Sequence, residues 1–597
     1  MIYNPLSIDY KSVTGAVPSY TNIKFRVKTD FDSVIFVVKK DEEDVCCYPM
    51  KKVGDFFERE ISFSSGLYFY YFKCGNKYIS LNSDYLGELS DSINNFQLLV
   101  YDKDYIVPKT LNGGIIYQIF PDRFYTLAEN KEVGKGKVYH KNKSELPNFL
   151  PNEKGEVLNN DFYGGDLQGI IEKLDYLKKL SITAIYLNPI FMAYSNHRYD
   201  TADYFRIDPL LGKEEDLVRL INEADKRGIK VILDGVFNHT GADSVYFNKK
   251  GNYDELGAYQ SQKSPYYSWY DFTKYPNYNS WWGIKTLPAV NKSEGSPFID
   301  FICGSGGVLE HYTKLGVGGW RLDVVDELPA HFVERIRKAV KGVDENAVII
   351  GEVWEDASNK ISYGKRRKYF CGKELDSVMN YPLKKEIISF VKNKRVNELS
   401  YLLKEQRDHY PKEVINSLMN ILSTHDTFRL LSALSSKQVE GLDKIKLSKI
   451  NLSSEEFDEA VFNLKVATLL QFTLPGVPCI YYGDEIGMQG YTDPLNRQYF
   501  TWGNVNKEIF NWYCKLGDIR SKYSVFSSGE YNEIYSKGGI FVYKISSLDG
   551  EVLICINLSN DDVSLEFSGT LLECISNIKF DNKYVLGSNS FAILVNE

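Results

Sequence analysis

Nine cysteines are spread over 597 residues, and none falls into CxxC or Cys/His spacing. The odd count and the absent spacing leave no pattern for a zinc site or a disulfide framework. Cys46 and Cys47 are adjacent and would close only a strained ring, so reduced, mostly buried thiols are expected. No stretch is long and apolar enough to span a bilayer. The N-terminal MIYNPLSIDYKSV has no basic region followed by an apolar one, so a cytoplasmic protein with no membrane partner is expected. A net charge of −8 without a run of like charges excludes an electrostatic docking surface for nucleic acid. No GxGxxG or P-loop string opens a helix-like segment, which removes the usual phosphate cradles.

What the chain does have is aromatic side chains, 14% of residues, with 44 Tyr among them. Tyr and Trp offer a flat apolar face with a polar tip, a surface that suits sugar rings, although most must serve in cores. A chain this long divides into several domains. Residues 1–104 carry strand-like runs, IKFRVKTD, SVIFVVKK and GLYFYYFKC, which predict an antiparallel β-sandwich. The texture returns in 525–597 (GGIFVYKISS, GEVLICINLS, NSFAILVNE), predicting a C-terminal β-sandwich domain. Between them, 105–524 alternates strand and helix. Eight strand candidates are IIYQIF, ITAIYLN, KVILDGVF, GGWRLDV, AVIIGEV, DSVMN, NILSTH and PCIYYG. Leu167, Ile170, Ile171, Leu174, Leu177 and Leu180 fall at helical steps behind Asp166, a candidate N-cap. The multidomain α/β chain is thus expected to centre on a (β/α)8 TIM barrel. The connection after strand 3, about 240–301, is rich in Tyr, Trp, Asn and Gly, and reads as an inserted domain over the barrel mouth.

Asp323, Glu352 and Asp426 each close an apolar run (GVGGWRLDV, AVIIGEVW, NILSTHD), where barrel strands meet their catalytic rim. One strand-end Asp alone would usually be a helix cap or a turn residue. Three of them, two flanked by Arg321 or His425, fit the paired carboxylates of a retaining glycosidase better.

In order, NHRYDTADY (196–204), DGVFNH (234–239), GWRLDVVDE (319–327), GEVW at Glu352, STHD at Asp426 and GVPCIYYGDEIGMQGYTDPLNR (476–497) resemble the α-amylase family of glycoside hydrolases. The resemblance runs from about Gly113 to Trp502 and leans towards the neopullulanase, cyclomaltodextrinase and amylopullulanase branch. It implies Asp323 as nucleophile and Glu352 as acid/base, with carboxyls roughly 5–5.5 Å apart. Arg321 is expected to keep Asp323 ionised, while burial and a neighbouring charge raise Glu352. Asp426 would stabilise the transition state, His239 and His425 would donate to sugar hydroxyls, and Tyr199 would stack beneath the ring. Asp200 would brace the site, Asp234 would partner Arg321, and Asn238 would hold loops together. Asp493 and Arg497 match positions facing the non-reducing side, with a surface ion pair as the bland reading. Glu327 and Trp354 are candidates for the leaving-group side, Trp354 alternatively for packing. His197 is read as structural.

The chain also departs from the branch. TLPAVN (286–291) replaces a Met-Pro-Lys-Leu-Asn string, and WWG (281–283) resembles the amylopullulanase type. Gly165 and Asp166 match part of the branch's calcium site, but the loop PDRFYTLAEN lacks much of the ligand set, and Asp122 is read as structural. No cofactor is expected, and calcium is not expected at that position. The implied activity is retaining hydrolysis of α-1,4 bonds, with α-1,6 bonds as a second target, in maltooligosaccharides, pullulan or cyclodextrins. Transfer to a sugar acceptor, or glucan binding without turnover, are the alternatives. In the branch, the N-terminal domain also binds starch or mediates homodimerisation, and Tyr68 and Tyr70 are candidates for exposed sugar contacts or for core.

Overall fold

A computed structural model describes residues 2–596. Barrel strands β1 (Ile116–Ile119), β2 (Ala184–Leu187), β3 (Lys230–Gly235), β4 (Gly319–Leu322), β5 (Val348–Gly351), β6 (Ser377–Val378), β7 (Met419–Ile421) and β8 (Val477–Tyr481) pair in parallel. Each lies beside its sequence neighbour, β1 pairs with β8, and a single bridge between Met379 and Met419 closes the seam from β6 to β7. The eight strands are the eight apolar runs of the sequence. They read as continuous apolar stretches because both faces are covered. Ile116, Tyr186, Ile232, Ile350 and Met419 fill the lumen, while Tyr117, Ile185, Leu233 and Ile349 pack outward under the helices.

The helix expected over 167–180 is two helices, Leu167–Glu172 and Leu174–Lys179, broken at Lys173. The Lys173 ammonium lies over the rings of Tyr125 and Trp502, 3.8 and 4.2 Å from their centroids. Asp166 caps the first helix by accepting the Gly169 N–H at 2.6 Å.

Residues before the barrel form a seven-stranded and a three-stranded sheet around an aromatic core that includes Phe25, Phe36 and Phe72. The larger sheet has one parallel pair, Val17–Pro18 with Val100–Tyr101. Tyr68 and Tyr70 belong to this interior. Both are buried on one face of the strand Gly66–Cys74, and the Tyr70 hydroxyl bonds that of Tyr3 at 2.8 Å, so neither is a surface sugar contact. The thiols differ from expectation too: Cys74, Cys479, Cys555 and Cys574 are buried, but Cys46 and Cys47 are exposed. Their strand, Val45–Pro49, is the edge of its sheet and has little packed over it.

After the barrel, six strands from Glu530 to Asn596 make one sheet. Its two faces alternate, Tyr543, Ile554 and Ile593 packing into the main core while Val542, Cys555 and Leu594 form a smaller cluster on the other side. Among the described residues no helix is long and apolar enough to cross a membrane.

The connection after β3 is a folded excursion. Phe247 packs against Tyr270 and Tyr278 with ring centroids 4.7 Å away in each case, and Trp269 and Tyr270 are buried. The backbone bridge His239–Ala289 ties it to the end of β3, and the bridge Tyr270–Val290 braces it internally.

Candidate active site

The register between β3 and β4 places Asp234 opposite Arg321, with both side chains on the lumen side. Arg321 is fully buried and its guanidinium is shared among three acids. Nη1 lies 2.8 Å from Asp234 and 2.9 Å from Asp323, and Nη2 lies 2.9 Å from Glu352. One planar cation thus spans the two carboxylates that end β4 and β5. Asp234 also accepts from the hydroxyls of Tyr186 (2.6 Å) and Tyr199 (2.8 Å), which makes it a brace beneath the site.

Val324, directly after Asp323, sits at φ 38° and ψ 48°, a left-handed conformation that a β-branched residue rarely adopts. The bend directs its N–H to Glu352 Oε2 at 2.8 Å. The other carboxylate oxygen accepts the indole N–H of Trp354 at 3.1 Å, and the Trp354 ring is stacked on Tyr381 with centroids 3.8 Å apart. Backbone strain next to the reacting groups is where such outliers gather.

Burial raises Asp323 well above the usual carboxylate range; Arg321 pulls it back, while Glu352 pushes it up further. Arg321 thus favours ionisation in the expected direction, but removal from water is the larger effect. Asp426 ends the other side, with a third of its side chain exposed. Burial pushes it upward, but His425 and Arg497 outweigh that and hold it well below the usual range.

His425 Nδ1 lies 2.8 Å from the Gln118 amide nitrogen, and Nε2 lies 2.7 Å from the Tyr199 hydroxyl and 3.0 Å from Asp426. The rings of Tyr199 and His425 are parallel within 10°. His239 is neutral, its pKa pushed down to about 3 by burial and then by Lys292. Asn238 lies at its Nδ1, and its Nε2 is buried. Asn238 itself is held by Lys292. Asp200 accepts from Ser195, and burial raises its pKa to about 6. His197 is tied to Ser195 and the Tyr199 N–H.

Arg497 is not half of a surface pair. It is buried, donates to the His425 carbonyl at 2.9 Å and to Asp426 at 3.2 Å, and reaches Asp493 at 2.8 Å. Glu327 accepts the indole N–H groups of both Trp281 and Trp282 at 2.9 Å.

Asp166 and Asp122 sit where the resemblance placed the calcium site, and at Asp166 both carboxylate oxygens are engaged. Oδ1 is committed to Gly169, and Oδ2 takes Thr126 and the ammonium of Lys131, which also donates to the Leu210 carbonyl at 2.9 Å. Asp122 is spent on the N–H groups of Tyr163 and Gly164, 3.0 Å each. An ammonium already fills the role of the cation, so this donor set does not fit calcium.

Sequence reading missed Gln118, Lys131, Lys292 and Tyr381. Gln118 alone left a signal, a polar residue inside the apolar run IIYQIF.

The α-amylase catalytic-domain model matches residues 118–298 and 304–511. The chain belongs to the α-amylase family. It is 34% identical to an amylopullulanase of Thermoanaerobacter thermohydrosulfuricus over 91% of this chain and 40% of that one. It is 32% identical to a cyclomaltodextrinase of Thermoanaerobacter pseudethanolicus over 77% and 72%. In structure it resembles the type III pullulan hydrolase from Thermococcus kodakarensis, with a TM-score of 0.71, 25% identity and full coverage of both chains. The chain spans between 31% and 45% of the length of three amylopullulanases among its relatives.

Proposed function

We propose that this α-amylase family member is a retaining hydrolase of α-glucans, acting on maltooligosaccharides, pullulan or cyclodextrins. The observation that carries the reading is the sharing of Arg321 between Asp323 and Glu352. It holds two carboxylates at one rim, one to attack the anomeric carbon and one to protonate the departing oxygen. His239, through its buried Nε2, supplies a donor for a hydroxyl of the reacting ring, while His425 Nε2 is held by Tyr199 and Asp426 and fixes their positions. Asp426, held ionised, takes hydroxyls as the ring flattens. The two exposed thiols suit a reducing compartment, in keeping with a cytoplasmic enzyme fed by imported oligosaccharides.

Proton NMR of maltotriose hydrolysis tests the mechanism, because retention releases the α-anomer first. Initial release of the β-anomer would sink the assignment. With pullulan, release of panose, isopanose or maltotriose identifies the bond cut.

The same reading treats Lys131 as the resident cation beside Asp166, so calcium is not required. EDTA should leave both activity and Tm unchanged, whereas Lys131→Met should cost roughly 1–3 kcal/mol of stability. Loss of Tm on chelation of the native enzyme would contradict it.

A further inference from the structure

The connection that leaves the rim at Glu352 meets two other parts of the chain around Asp356. One is the helix Val396–His409, which presents Glu405 and His409 one turn apart on the same face. The other is the N-terminal domain. Gln97 donates to the Ser358 hydroxyl and accepts from Asn359, 2.8 Å each, and Tyr85 packs near His409 with ring centroids 6.5 Å apart. Further along the same connection, the small hairpin of Ile361–Ser362 and Lys365–Arg366 pairs through Arg366 with Asp41 of that domain at 2.9 Å.

Asp356, Glu405 and His409 each bring a ligand atom to within 4.8 Å of the other two. Carboxylates gather on many surfaces, but here they stand beside an imidazole that is only 6% exposed. Asp356 is already oriented. Its Oδ1 accepts the Ser358 N–H at 2.8 Å and the Ser358 hydroxyl at 2.7 Å, which leaves Oδ2 facing His409 Nδ1 at 2.9 Å. Glu405 is not spent in this way. Among the described residues its carboxylate has no hydrogen bond or ion pair, although it is partly buried and His409 is one turn away. A charge withdrawn from water is normally paired or bound to a metal. The helix end favours a cation as well, because His409 is its last residue and the unpaired carbonyls there carry partial negative charge.

We propose that these three side chains bind a divalent transition-metal ion of the zinc class. One imidazole nitrogen and two carboxylate oxygens are ligands that zinc accepts, and the nitrogen disfavours calcium and magnesium. A tetrahedral ion with bonds of about 2.0–2.2 Å spaces its ligand atoms roughly 3.3–3.6 Å apart, so shifts of about 1 Å bring the set to that spacing. The ion takes the place of the hydrogen between Asp356 and His409, while Ser358 keeps the Asp356 carboxylate in position. Water completes the coordination from the partly exposed side of Asp356. Without a thiolate the site holds zinc less tightly than a structural cysteine site. In metal-free buffer the hydrogen therefore stays, and chelation removes nothing. Bound, the ion pins the connection that carries Glu352 to the helix, beside the ties through Gln97 and Arg366.

The test needs no substrate. The two exposed thiols compete for zinc, so they are first removed as Cys46→Ser/Cys47→Ser. After EDTA treatment and dialysis, calorimetric titration of that protein with ZnCl2 should show one ion per chain with a micromolar Kd. Tm should rise with zinc concentration. CoCl2 should give visible absorption bands, and CaCl2 at equal concentration should not displace zinc. Glu405→Gln and His409→Gln should each weaken zinc binding about tenfold or more, lower the zinc-dependent rise in Tm and lose the cobalt bands. Glu405→Gln alters a partly exposed group that has no partner to lose, so it should fold even where His409→Gln does not. Zinc affinity that Glu405→Gln leaves unchanged, or no uptake at millimolar zinc, would overturn the site.

Discussion

Asp323→Asn should lower maltotriose turnover by roughly four orders of magnitude or more, because an amide cannot form the glycosyl ester. Glu352→Gln should lose as much on maltotriose, yet keep far more of the first step with α-maltosyl fluoride, since fluoride departs without a proton. Steady-state rates on both donors separate the two roles. Comparable losses on both donors for both variants would remove the distinction between nucleophile and acid. The Asn variant carries a second signature. Burial raises the Asp323 pKa, so the folded state favours the protonated form. Its contribution to stability is therefore fully present below the unfolded carboxylate value, about 4, and is lost as pH rises towards the folded one. Asn has no charge to develop. Asp323→Asn should melt above the native protein at pH 8, with the gap closing near pH 4 in thermal scans. A native protein that melts higher at both pH values would mean that the buried carboxylate does not cost stability.

Removing Arg321 should do more damage than any other single change at the rim. Asp234, Asp323 and Glu352 all take their cation from it, in a fully buried position. Arg321→Met would leave these acids uncompensated and should cost roughly 3–5 kcal/mol. Arg321→Lys keeps a charge but not a plane able to reach all three, so it should fold better and still lose most activity. Arg321 lowers the Asp323 pKa against burial. Without the guanidinium that pKa climbs further, and the acid limb of kcat/KM should move to higher pH, more in the Met variant than in the Lys variant. An acid limb that stays in place in both would show that another group holds the nucleophile ionised.

The barrel was legible because parallel strands buried on both faces leave unbroken apolar runs, and the polar residues that end those runs stand out. Asp323, Glu352 and Asp426 are visible for that reason, and Gln118 was equally visible inside its own run. Lys131 and Lys292 left no such mark. Each reaches its partner from a polar loop, where one lysine looks like any other until the chain has folded. The state of Asp323 lay beyond spacing as well: the neighbouring Arg321 is written in the chain, whereas the loss of water around the carboxyl exists only in the closed rim.

The pairing of Arg366 with Asp41 has an evolutionary consequence. It links the hairpin beyond Asp356 to a sheet that shares no residue with the chemistry. A substitution at Asp41 therefore reaches the connection that begins at Glu352 through this one ion pair, so residues far from the rim are constrained along with it.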